Sequence, residues 1–548
     1  QSEHDLQRIG FVAALSFVIA RLNHGKPFSP RDDPLDLTEK FFFLRPHLRQ
    51  FIAECGNCHL FIHKFIISHS AVFGTFFCAV LPYNQGQYHM FSMFRYLGGE
   101  ERYVWSAVSE DGVHFRDVGT VITDELPVWK MFVHKCGDTF AMNYGSLSGR
   151  PNHGNDTLRY HVSDDLLHWK ECENPSCCHP DPRWYRQEER WDHMYTVEGD
   201  GKYYGYAVAT AKPELGTFGC GLMESDDGIH WNVLPPLEII WGNVEPVNFE
   251  VGGCEKIDGK YYLIGGAFRH HGNAGYSVFT FVADTPTGPF RPLEKGYRLC
   301  GSSSADYHRG VQWLASFGKD ASGEVIITNY MTAQHSPYIN FIGTMENVWL
   351  TPIKKAVVND GTLRMAWWKN NENLKGRRIE KPLFENGVFW ENTEYAETGR
   401  AIKTCCLIDS INDAGVMIEG SACVTRDSHF NAARFGFALE APEGFRTVTV
   451  QAGKPQYAHA EIVDYQKIGQ LPGYVVDVVE PNTAGKTNVI PGKEFTFRLL
   501  FRKDMFELYI DDFLVQTYLG LDQTTAIHLY SENANVKIDR MDMYEMTL

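Results

Sequence analysis

Two carboxylate residues lie at the same distance from two similar glycine turns. Asp192 precedes Gly201 by nine residues, and Glu250 precedes Gly259 by nine residues. Carboxyl groups at one depth of neighbouring strands suit chemistry at a glycosidic bond, where one group protonates the leaving oxygen and the other attacks or stabilises the positively charged carbon. We therefore treat Asp192 and Glu250 as candidate catalytic residues. The alternative is that they tie strands together or lie exposed at strand ends.

The residues beside each carboxylate indicate different roles. The stretch 247–253 around Glu250 is mostly apolar, which favours the protonated form that a proton donor requires. Asp192 follows Arg190 closely, and a neighbouring cation favours the ionised form of a carboxylate. The sequence thus predicts Glu250 as the general acid and Asp192 as the stabiliser or nucleophile, in a reaction that needs no cofactor and no metal.

Other polar and aromatic residues fall near the expected depth of the pocket and are candidates for contacts with sugar hydroxyl groups. The predicted substrate-binding residues are Arg190, Trp129, Lys130, Asn143, His193, Arg269, His270, His271 and Asp306. Trp129, together with Trp191 and Trp241, is expected to stack on sugar faces. Adjacent histidines point in different directions on a strand, so hydrogen bonding is favoured over metal binding at His270 and His271.

The elements that position these residues repeat along the chain. Five glycine turns are separated by 51, 64, 58 and 64 residues, and they contain Gly86, Gly137, Gly201, Gly259 and Gly323. This period predicts units too small to fold alone, and the aromatic and β-branched residues after each turn indicate the blades of a five-bladed β-propeller. The first strand of each blade should line the central channel and bring Asp192 and Glu250 together.

A second repeat lies between the glycine turns and contains Ser, Asp, His and a closing aromatic residue. Copies occupy residues 109–115, 163–169 and 225–231, and a degenerate copy occupies 283–290. Ser and Asp at this spacing cap turns through their side chains. We therefore predict a structural role for these acids at outer turns, which supports the number of blades.

The C-terminal part of the chain has a different pattern. From about residue 396, short segments alternate between polar and apolar residues with a period of two, as in 495–501. This pattern predicts a β-sandwich, so the fold class is all-β. The predicted domains are an N-terminal extension with a short helix (1–70), the propeller (71–350), a connector (351–395) and the sandwich (396–548). The sandwich could mediate contacts in a homo-oligomer.

Composition narrows the expected partners. The 548-residue chain has a formal net charge of −17 and no run of Lys or Arg, so it lacks the clustered cations that bind nucleic acids and anionic membranes. The longest apolar run, residues 11–20, is too short to span a bilayer. The expected partner is a small carbohydrate or oligosaccharide, with no nucleic acid and no membrane.

The number and spacing of the cysteines indicate the cellular compartment in which the protein is expected. Thirteen cysteines, an odd number with adjacent pairs at 177–178 and 405–406, suit a reducing interior better than a disulfide framework. A cytoplasmic location is favoured, and secretion would require a signal removed before Gln1. Cys55, Cys58 and His59 match a haem-attachment pattern. Structural thiols are the favoured interpretation there, ahead of a metal or redox role and of haem.

With five blades, inner-strand acids and a C-terminal sandwich, the chain resembles the invertases, levanases and inulinases of glycoside hydrolase family 32. It resembles the arabinanases and xylosidases of family 43 more distantly. Family 32 has an Arg-Asp-Pro motif on blade 3 and a Glu-Cys-Pro motif on blade 4, where this chain reads Arg-Trp-Asp at 190–192 and Glu-Val-Gly at 250–252. Over about residues 71–548, the resemblance implies an exo-acting glycosidase on a fructoside- or arabinoside-like furanoside. Asp192 would be the transition-state stabiliser and Glu250 the general acid.

Blade 1 departs from the family pattern. The family has a nucleophilic or basic Asp on the first strand of that blade, whereas no carboxylate lies between Ser70 and Gly86. Three explanations remain open: Asp32 or Asp33 enters the channel, Asp192 itself acts as base or nucleophile, or the protein binds sugar without cleaving it. The altered mechanism is favoured. A transglycosylase or phosphorylase that binds an acceptor or phosphate through residues 269–271 is a further alternative.

Overall fold

The computed structural model describes residues 75–547 with internal gaps. The gaps are residues 81, 96–101, 124–127, 129, 147–156, 173–175, 217–218, 269–275, 302–310, 334–345, 381–390, 396–399, 427–432, 443, 454–459, 469–470, 480–488, 503–504 and 520–523. The predicted N-terminal extension, with its helix and the haem-like motif, lies outside the described residues. The chain divides into Gln1–Ile67 and a second unit, Ser68–Leu548, which contains every element described below.

Short antiparallel sheets follow one another along the first part of this unit. Blades 1 and 2 consist of β1 (Thr75–Val80), β2 (Tyr83–Asn84), β3 (Gln87–Arg95), β4 (Arg102–Ser109), β5 (Arg116–Thr123), β6 (Met131–Cys136), β7 (Thr139–Ser146), β8 (Thr157–Ser163) and β9 (Lys170–Glu171). Blades 3 and 4 consist of β10 (Trp191–Gly199), β11 (Lys202–Ala209), β12 (Gly221–Ser225), β13 (Asn232–Leu234), β14 (Glu250–Ile257), β15 (Lys260–Phe268), β16 (Tyr276–Ala283), β17 (Arg291–Pro292) and β18 (Arg298–Gly301). Blade 5 begins with β19 (Val311–Lys319), β20 (Val325–Ala333) and β21 (Glu346–Leu350). A short 3₁₀ helix, Pro213–Leu215, follows β11.

The first strands of the five sheets form a closed ring. β1 contacts β6, β6 contacts β10, β10 contacts β14, β14 contacts β19, and β19 contacts β1. Each sheet therefore presents its first strand to a common axis, which confirms the predicted five-bladed propeller. Its hydrophobic core includes one or more buried side chains from every blade, such as Phe91, Phe132, Tyr206, Leu263 and Phe317.

Glycine turns join the first two strands of the blades that contain the two candidate acids. Asp200 and Gly201 connect β10 to β11, and Asp258 and Gly259 connect β14 to β15. All four residues have positive φ, at 54°, 77°, 49° and 85° respectively. A two-residue hairpin turn with positive φ at both positions matches the right-handed twist of the strands. The two blades therefore have equivalent hairpins.

The fifth blade continues into the C-terminal domain. β20 also pairs with β22, so an 11-stranded sheet extends from blade 5 into the sandwich. Beyond β20 its order is β22 (Lys354–Asn359), β23 (Thr362–Trp367), β34 (Phe513–Leu519), β33 (Met505–Ile510), β32 (Glu494–Arg502), β27 (Val416–Arg426), β36 (Ala534–Met546) and β24 (Lys375–Arg378). The segment predicted as a connector thus supplies β22, β23 and β24 to this sheet, with a 3₁₀ helix, Lys369–Leu374, before β24.

A second sheet packs on the first and completes the sandwich. Its order is β25 (Glu391–Tyr395), β26 (Arg400–Ile408), β35 (Ala526–Glu532), β28 (Ala433–Ala441), β29 (Gly444–Ala452), β30 (Ala460–Ile468) and β31 (Leu471–Val479). The core between the sheets is aromatic: the rings of Phe435 and Phe437 lie 5.3 and 5.9 Å from the ring of Phe497. Side chains of alternating residues meet between two sheets, as in other sandwiches. The all-β fold class is confirmed.

The Ser-Asp-His repeats form loops that are held by their own acids. In the first copy, Ser109 Oγ donates to Asp111 Oδ1 at 2.8 Å, and the same carboxylate oxygen accepts the backbone N–H of Val113 and of His114 at 2.9 and 2.8 Å. His114 Nδ1 lies 2.8 Å from the other oxygen. The same bonds recur in the second and third copies. These carboxylates therefore stabilise turns.

Three further observations concern only the part of the chain that the structure describes. No helix there is long and apolar enough to cross a membrane. Ten cysteines whose side chains are described are free thiols: Cys136, Cys172, Cys177, Cys178, Cys220, Cys254, Cys300, Cys405, Cys406 and Cys423. No group of three or more His, Cys, Asp or Glu side chains in the described ranges is arranged to hold a metal ion.

Candidate active site

Asp192 and Glu250 lie at the start of the first strands of neighbouring blades. β10 begins one residue before Asp192, and β14 begins at Glu250 itself. In each strand the pairing register shifts just after the carboxylate, between Asp192 and Met194 and between Val251 and Gly253. Such bulges change the direction of side chains relative to regular alternation and are common next to active sites. The two carboxylates thus begin equivalent, locally bulged strands.

One arginine binds both carboxylates. Nη2 of Arg190 donates to Oδ2 of Asp192 at 2.8 Å, and Nη1 donates to Oε1 of Glu250 at 3.2 Å. The side chain of Arg190 is 40% exposed, that of Asp192 is 2% exposed and that of Glu250 is 21% exposed. The planar guanidinium presents its donors in a fixed fork. It therefore fixes the positions of two acids that are 58 residues apart in sequence.

Asp192 is held in its ionised form. Burial alone would raise its pKa, but the charge and hydrogen bonds of His193 and Arg190 outweigh that effect and hold the pKa of the Asp192 carboxyl well below its usual range. Its Oδ1 accepts the backbone N–H of His193 at 2.8 Å. A buried carboxylate that is ionised at neutral pH is suited to stabilise developing positive charge.

Glu250 has a more polar setting than its sequence neighbours indicate. The flanking side chains of Phe249 and Val251 are buried, as an apolar environment requires. The carboxylate itself, however, is partly exposed and contacts the guanidinium of Arg190. The predicted apolar surroundings are therefore wrong at the carboxylate, because a residue from the neighbouring blade supplies a cation that the local sequence does not contain.

A tyrosine that the sequence analysis did not select lies beside Glu250. Glu250 pairs across the strands with Gly266, and a β-carbon built on Gly266 would lie 1.7 Å from the hydroxyl oxygen of Tyr276. That hydroxyl therefore fills the cross-strand position next to Glu250, where paired side chains are about 4.5–5.5 Å apart. Tyr276 belongs to the third strand of its blade, and the spacing rules that found the acids do not extend to that strand.

Lys130 and His193 meet at the backbone next to Glu250. Nζ of Lys130 donates to the carbonyl oxygen of Val251 at 2.9 Å, and Nε2 of His193 lies 3.3 Å from the same oxygen. Both side chains are buried, and the ammonium of Lys130 lies 4.9 Å from the ring centre of Phe132. We interpret both residues as supports for the strand that carries Glu250. Neither is exposed to a ligand in this conformation.

Two other candidates have internal roles. The side-chain amide of Asn143 is fully buried: its nitrogen donates to the carbonyl oxygen of Met194 at 2.8 Å, and its oxygen accepts the N–H of Met194 at 2.7 Å. Trp191 is also fully buried and donates its indole N–H to the carbonyl oxygen of Cys177 at 2.8 Å. The positions of Asn143 and Trp191 do not support the sugar contacts expected of them, because both side chains are buried and tie neighbouring segments together.

Trp241 is partly buried, and its ring lies edge-on to Phe281, with the ring centres 5.4 Å apart. It packs on the propeller core, so the expectation that it stacks on a sugar receives no support from its position. The remaining candidates, Trp129, Arg269, His270, His271 and Asp306, lie outside the described residues.

The first strand of blade 1 contains no carboxylate residue. β1 spans Thr75–Val80, and its sequence is TFFCAV. Its place in the ring of first strands corresponds to that of the strands that begin with the two acids. The third acid expected from the family 32 resemblance is therefore missing from this strand, whereas the acids of blades 3 and 4 are present.

Comparison with known proteins gives a likeness in structure and none in sequence. The sequence matches no protein-family model, and no curated protein matches it. Among similar solved structures is a family 32 β-fructofuranosidase from Bombyx mori (TM-score 0.58, 11% identity, covering 88% of this chain and 97% of that chain). Sucrose-6-phosphate hydrolase from Lactobacillus gasseri is another (0.58, 12%, 87% and 93%). A third is fructan 1-exohydrolase IIa from Cichorium intybus in complex with 1-kestose (0.57, 12%, 87% and 97%).

At sequence identities of 11–12%, the similarity to these structures establishes the fold and not the activity. The matched share of the chain is large enough to include both the ring of five blades and the sandwich that follows it. The resemblance noted in the sequence is therefore confirmed at this level: the chain has the propeller-and-sandwich fold of glycoside hydrolase family 32.

Proposed function

We propose that this protein is a glycosidase that removes a terminal furanoside unit, of the fructoside class, from a small carbohydrate. The observation that carries the proposal is the shared guanidinium of Arg190, which holds Asp192 and Glu250 at the start of two neighbouring first strands. The similar solved structures add support, because their names describe hydrolases of fructofuranosides and fructans. An arabinoside-like furanoside is the nearest alternative substrate.

The two carboxylates divide the reaction between them. Glu250, which is partly exposed, donates a proton to the leaving oxygen as the bond between that oxygen and the anomeric carbon breaks. Asp192 stays ionised and faces the positive charge that develops on the sugar. Water then adds to the anomeric carbon, and Glu250 recovers its proton from that water. The sum is hydrolysis, with no cofactor.

The missing acid of blade 1 gives Asp192 a second task. The strand β1 contains no carboxylate. Among the described first-strand residues, two carboxylates contact Arg190, and Asp192 is the more deeply buried of the two. We propose that Asp192 attacks the anomeric carbon as the leaving oxygen departs, which gives a glycosyl ester that water then hydrolyses with Glu250 as the base. In the alternative, Asp192 takes the proton of the attacking water and passes it to solvent, and Glu250 regains its proton from solvent. The rival source of a third acid is the pair Asp32 and Asp33, which lies outside the described residues.

The same observation supports a second candidate function, sugar binding without cleavage. A propeller of this fold that lacks one of the family's three acids would bind a carbohydrate and leave it intact. A transglycosylase or phosphorylase differs from both, because its products depend on an added acceptor or on phosphate. The three functions make different predictions for one experiment.

That experiment incubates the full chain with sucrose, 1-kestose, inulin and aryl arabinofuranosides, with and without phosphate or an acceptor alcohol. Release of free sugar in water alone supports the glycosidase. Product that forms only with phosphate or acceptor supports the transferase alternative. Binding measured by calorimetry without any product supports the non-catalytic propeller and contradicts the proposal. Glu250→Gln serves as the variant, and Glu238→Gln, at an exposed glutamate, is the matched control.

A further inference from the structure

Gly145 lies directly against the carboxylate of Asp192. A β-carbon built on Gly145 would lie 1.6 Å from Oδ1 of Asp192 and 2.6 Å from its Cγ. Gly145 is inside the strand β7, and its φ is outside the left-handed region that favours glycine. Space, rather than backbone conformation, therefore excludes a side chain at this position.

The same strand fixes the register between blades 2 and 3. Asn143, two residues before Gly145, binds the backbone N–H and C=O of Met194. Residues two apart on a strand share a face, so Asn143 contacts Met194 and Gly145 contacts Asp192 along one packing surface. The amide of Asn143 thereby sets the depth at which Asp192 meets Gly145.

Asp192 is consequently held from two sides. Its Oδ2 accepts the hydrogen bond from Arg190, while its Oδ1 occupies the space above the α-carbon of Gly145. A methyl group at position 145 would take the place of Oδ1. Either the carboxylate would rotate or the strands would move apart, and both changes would alter the contact with Arg190.

We propose that Gly145 is a positioning residue, whose missing side chain keeps the Asp192 carboxylate in the orientation in which it meets Arg190 and the substrate. The catalytic part of this inference rests on the proposed function, whereas the steric part does not. Since Gly145 acts only through Asp192, the effect of a substitution at position 145 must vanish when the carboxylate is removed.

A double-mutant cycle tests the steric part. Wild type, Gly145→Ala, Asp192→Ala and the double variant are compared by thermal unfolding. Gly145→Ala alone is expected to lower the Tm by several degrees through overpacking, and to leave the Tm unchanged or higher in the Asp192→Ala background. Equal losses in both backgrounds would overturn the proposal. If Gly145→Ala alone does not fold, folding of the double variant supports the proposal and its failure to fold contradicts it.

Steady-state kinetics tests the catalytic part. Gly145→Ala is expected to lower kcat by about tenfold or more, with KM within about twofold, because a displaced carboxylate loses transition-state contacts. Gly199→Ala is the matched control. Gly199 lies at the far end of β10 from Asp192, its β-carbon would lie 2.6 Å from the hydroxyl oxygen of Tyr261, and kcat should stay within about twofold. Unchanged kcat in Gly145→Ala would contradict the proposal. An inactive wild type would instead remove the proposed function, and the unfolding cycle would decide the steric part.

Discussion

Asp192 and Glu250, from neighbouring blades, accept hydrogen bonds from the two terminal nitrogens of a single guanidinium, at 2.8 and 3.2 Å. The planar guanidinium presents its donors in a fixed fork, so these two hydrogen bonds set where each carboxyl group lies relative to the other. The position of Arg190 in the sequence, two residues before Asp192, predicts only that it keeps Asp192 ionised. The structure gives Arg190 a second contact, with Glu250. Arg190 therefore also fixes the relative position of the two acids on which the proposed reaction depends.

The first prediction concerns this cation. Arg190→Met is expected to lower kcat by about a hundredfold or more, because both carboxylates lose a charged hydrogen-bond donor. Arg190→Lys should recover only part of the rate, since one ammonium cannot reproduce the two-nitrogen fork. The control is Arg186→Met, which removes a similarly exposed arginine that pairs with Glu189. Wild-type kinetics in Arg190→Met would refute this role.

The second prediction concerns the ionised state of Asp192. The pKa of its carboxyl is lower in the folded protein than in the unfolded chain, so the ionised group contributes stability above the unfolded value of about 4 and loses it as the pH falls further. Asp192→Asn should therefore be less stable than wild type at pH 7. The difference should shrink below about pH 4. Urea unfolding across pH 3–7 measures it, and a difference that does not change with pH would contradict the assignment.

The third prediction concerns a buried ion pair between β22 and β33 of the 11-stranded sheet. Nζ of Lys354 lies 2.6 Å from Oε1 of Glu507, whose Oε2 accepts the hydroxyl of Tyr509 at 2.6 Å, and both charged side chains are fully buried. Lys354→Met should destabilise the protein by about 3–5 kcal/mol, because it leaves a buried carboxylate unpaired.

Two comparisons sharpen that test. Adding Glu507→Gln to Lys354→Met should recover part of the lost free energy of unfolding, because no uncompensated charge remains. Lys355→Met removes the neighbouring lysine, which forms a partly exposed pair with Glu324, and should change stability by less than about 1 kcal/mol. A double variant that is less stable than Lys354→Met would show that the pair is not the source of the effect.

The fourth prediction concerns the Ser-Asp-His loops. Burial opposes ionisation of Asp111, but hydrogen bonds from His114, Val113 and Ser109 lower its pKa to about 2. The carboxylate therefore stabilises the fold above about pH 4, and this contribution falls away between about pH 4 and pH 2. Asp111→Ala should cost about 1–2 kcal/mol at pH 7. Glu110→Ala, at the exposed residue before it, is the control and should be near neutral.

The ring of blades could be predicted from the sequence because the hairpin turns require residues that adopt positive φ, mainly Gly and Asp. Positive φ at Asp200, Gly201, Asp258 and Gly259 demands the residue types that the sequence shows, and those turns mark where each first strand ends. The alternating tail similarly predicted the sandwich. The place of residues 351–395 in the fold could not be predicted from the sequence, because β22, β23 and β24 join the 11-stranded sheet through pairings with strands distant in sequence.

The sequence predicted contacts between site residues that are close in sequence, but not contacts between residues of different blades. Arg190 and Asp192 are two residues apart, so their contact follows from the sequence, whereas the contact of Arg190 with Glu250 depends on how two blades pack. Trp191 lies between Arg190 and Asp192, and alternation along a strand places its side chain on the face opposite Asp192, so the sequence does predict that Trp191 points away from the two acids. The Asn143 amide is buried against Met194 because blades 2 and 3 pack together, and no local sequence pattern predicts that contact.

The most direct test of the central claim is the dependence of Glu250→Gln on the leaving group. General-acid catalysis contributes most when the leaving oxygen is strongly basic, as in the hydroxyl group of a departing sugar. It contributes little when the leaving group is a nitrophenol, whose oxygen leaves without a proton. We predict a loss of about a hundredfold or more in kcat/KM on sucrose or 1-kestose, with a much smaller loss on an activated aryl furanoside. Equal losses on both substrates, or none on either, would contradict the role of Glu250 as the proton donor.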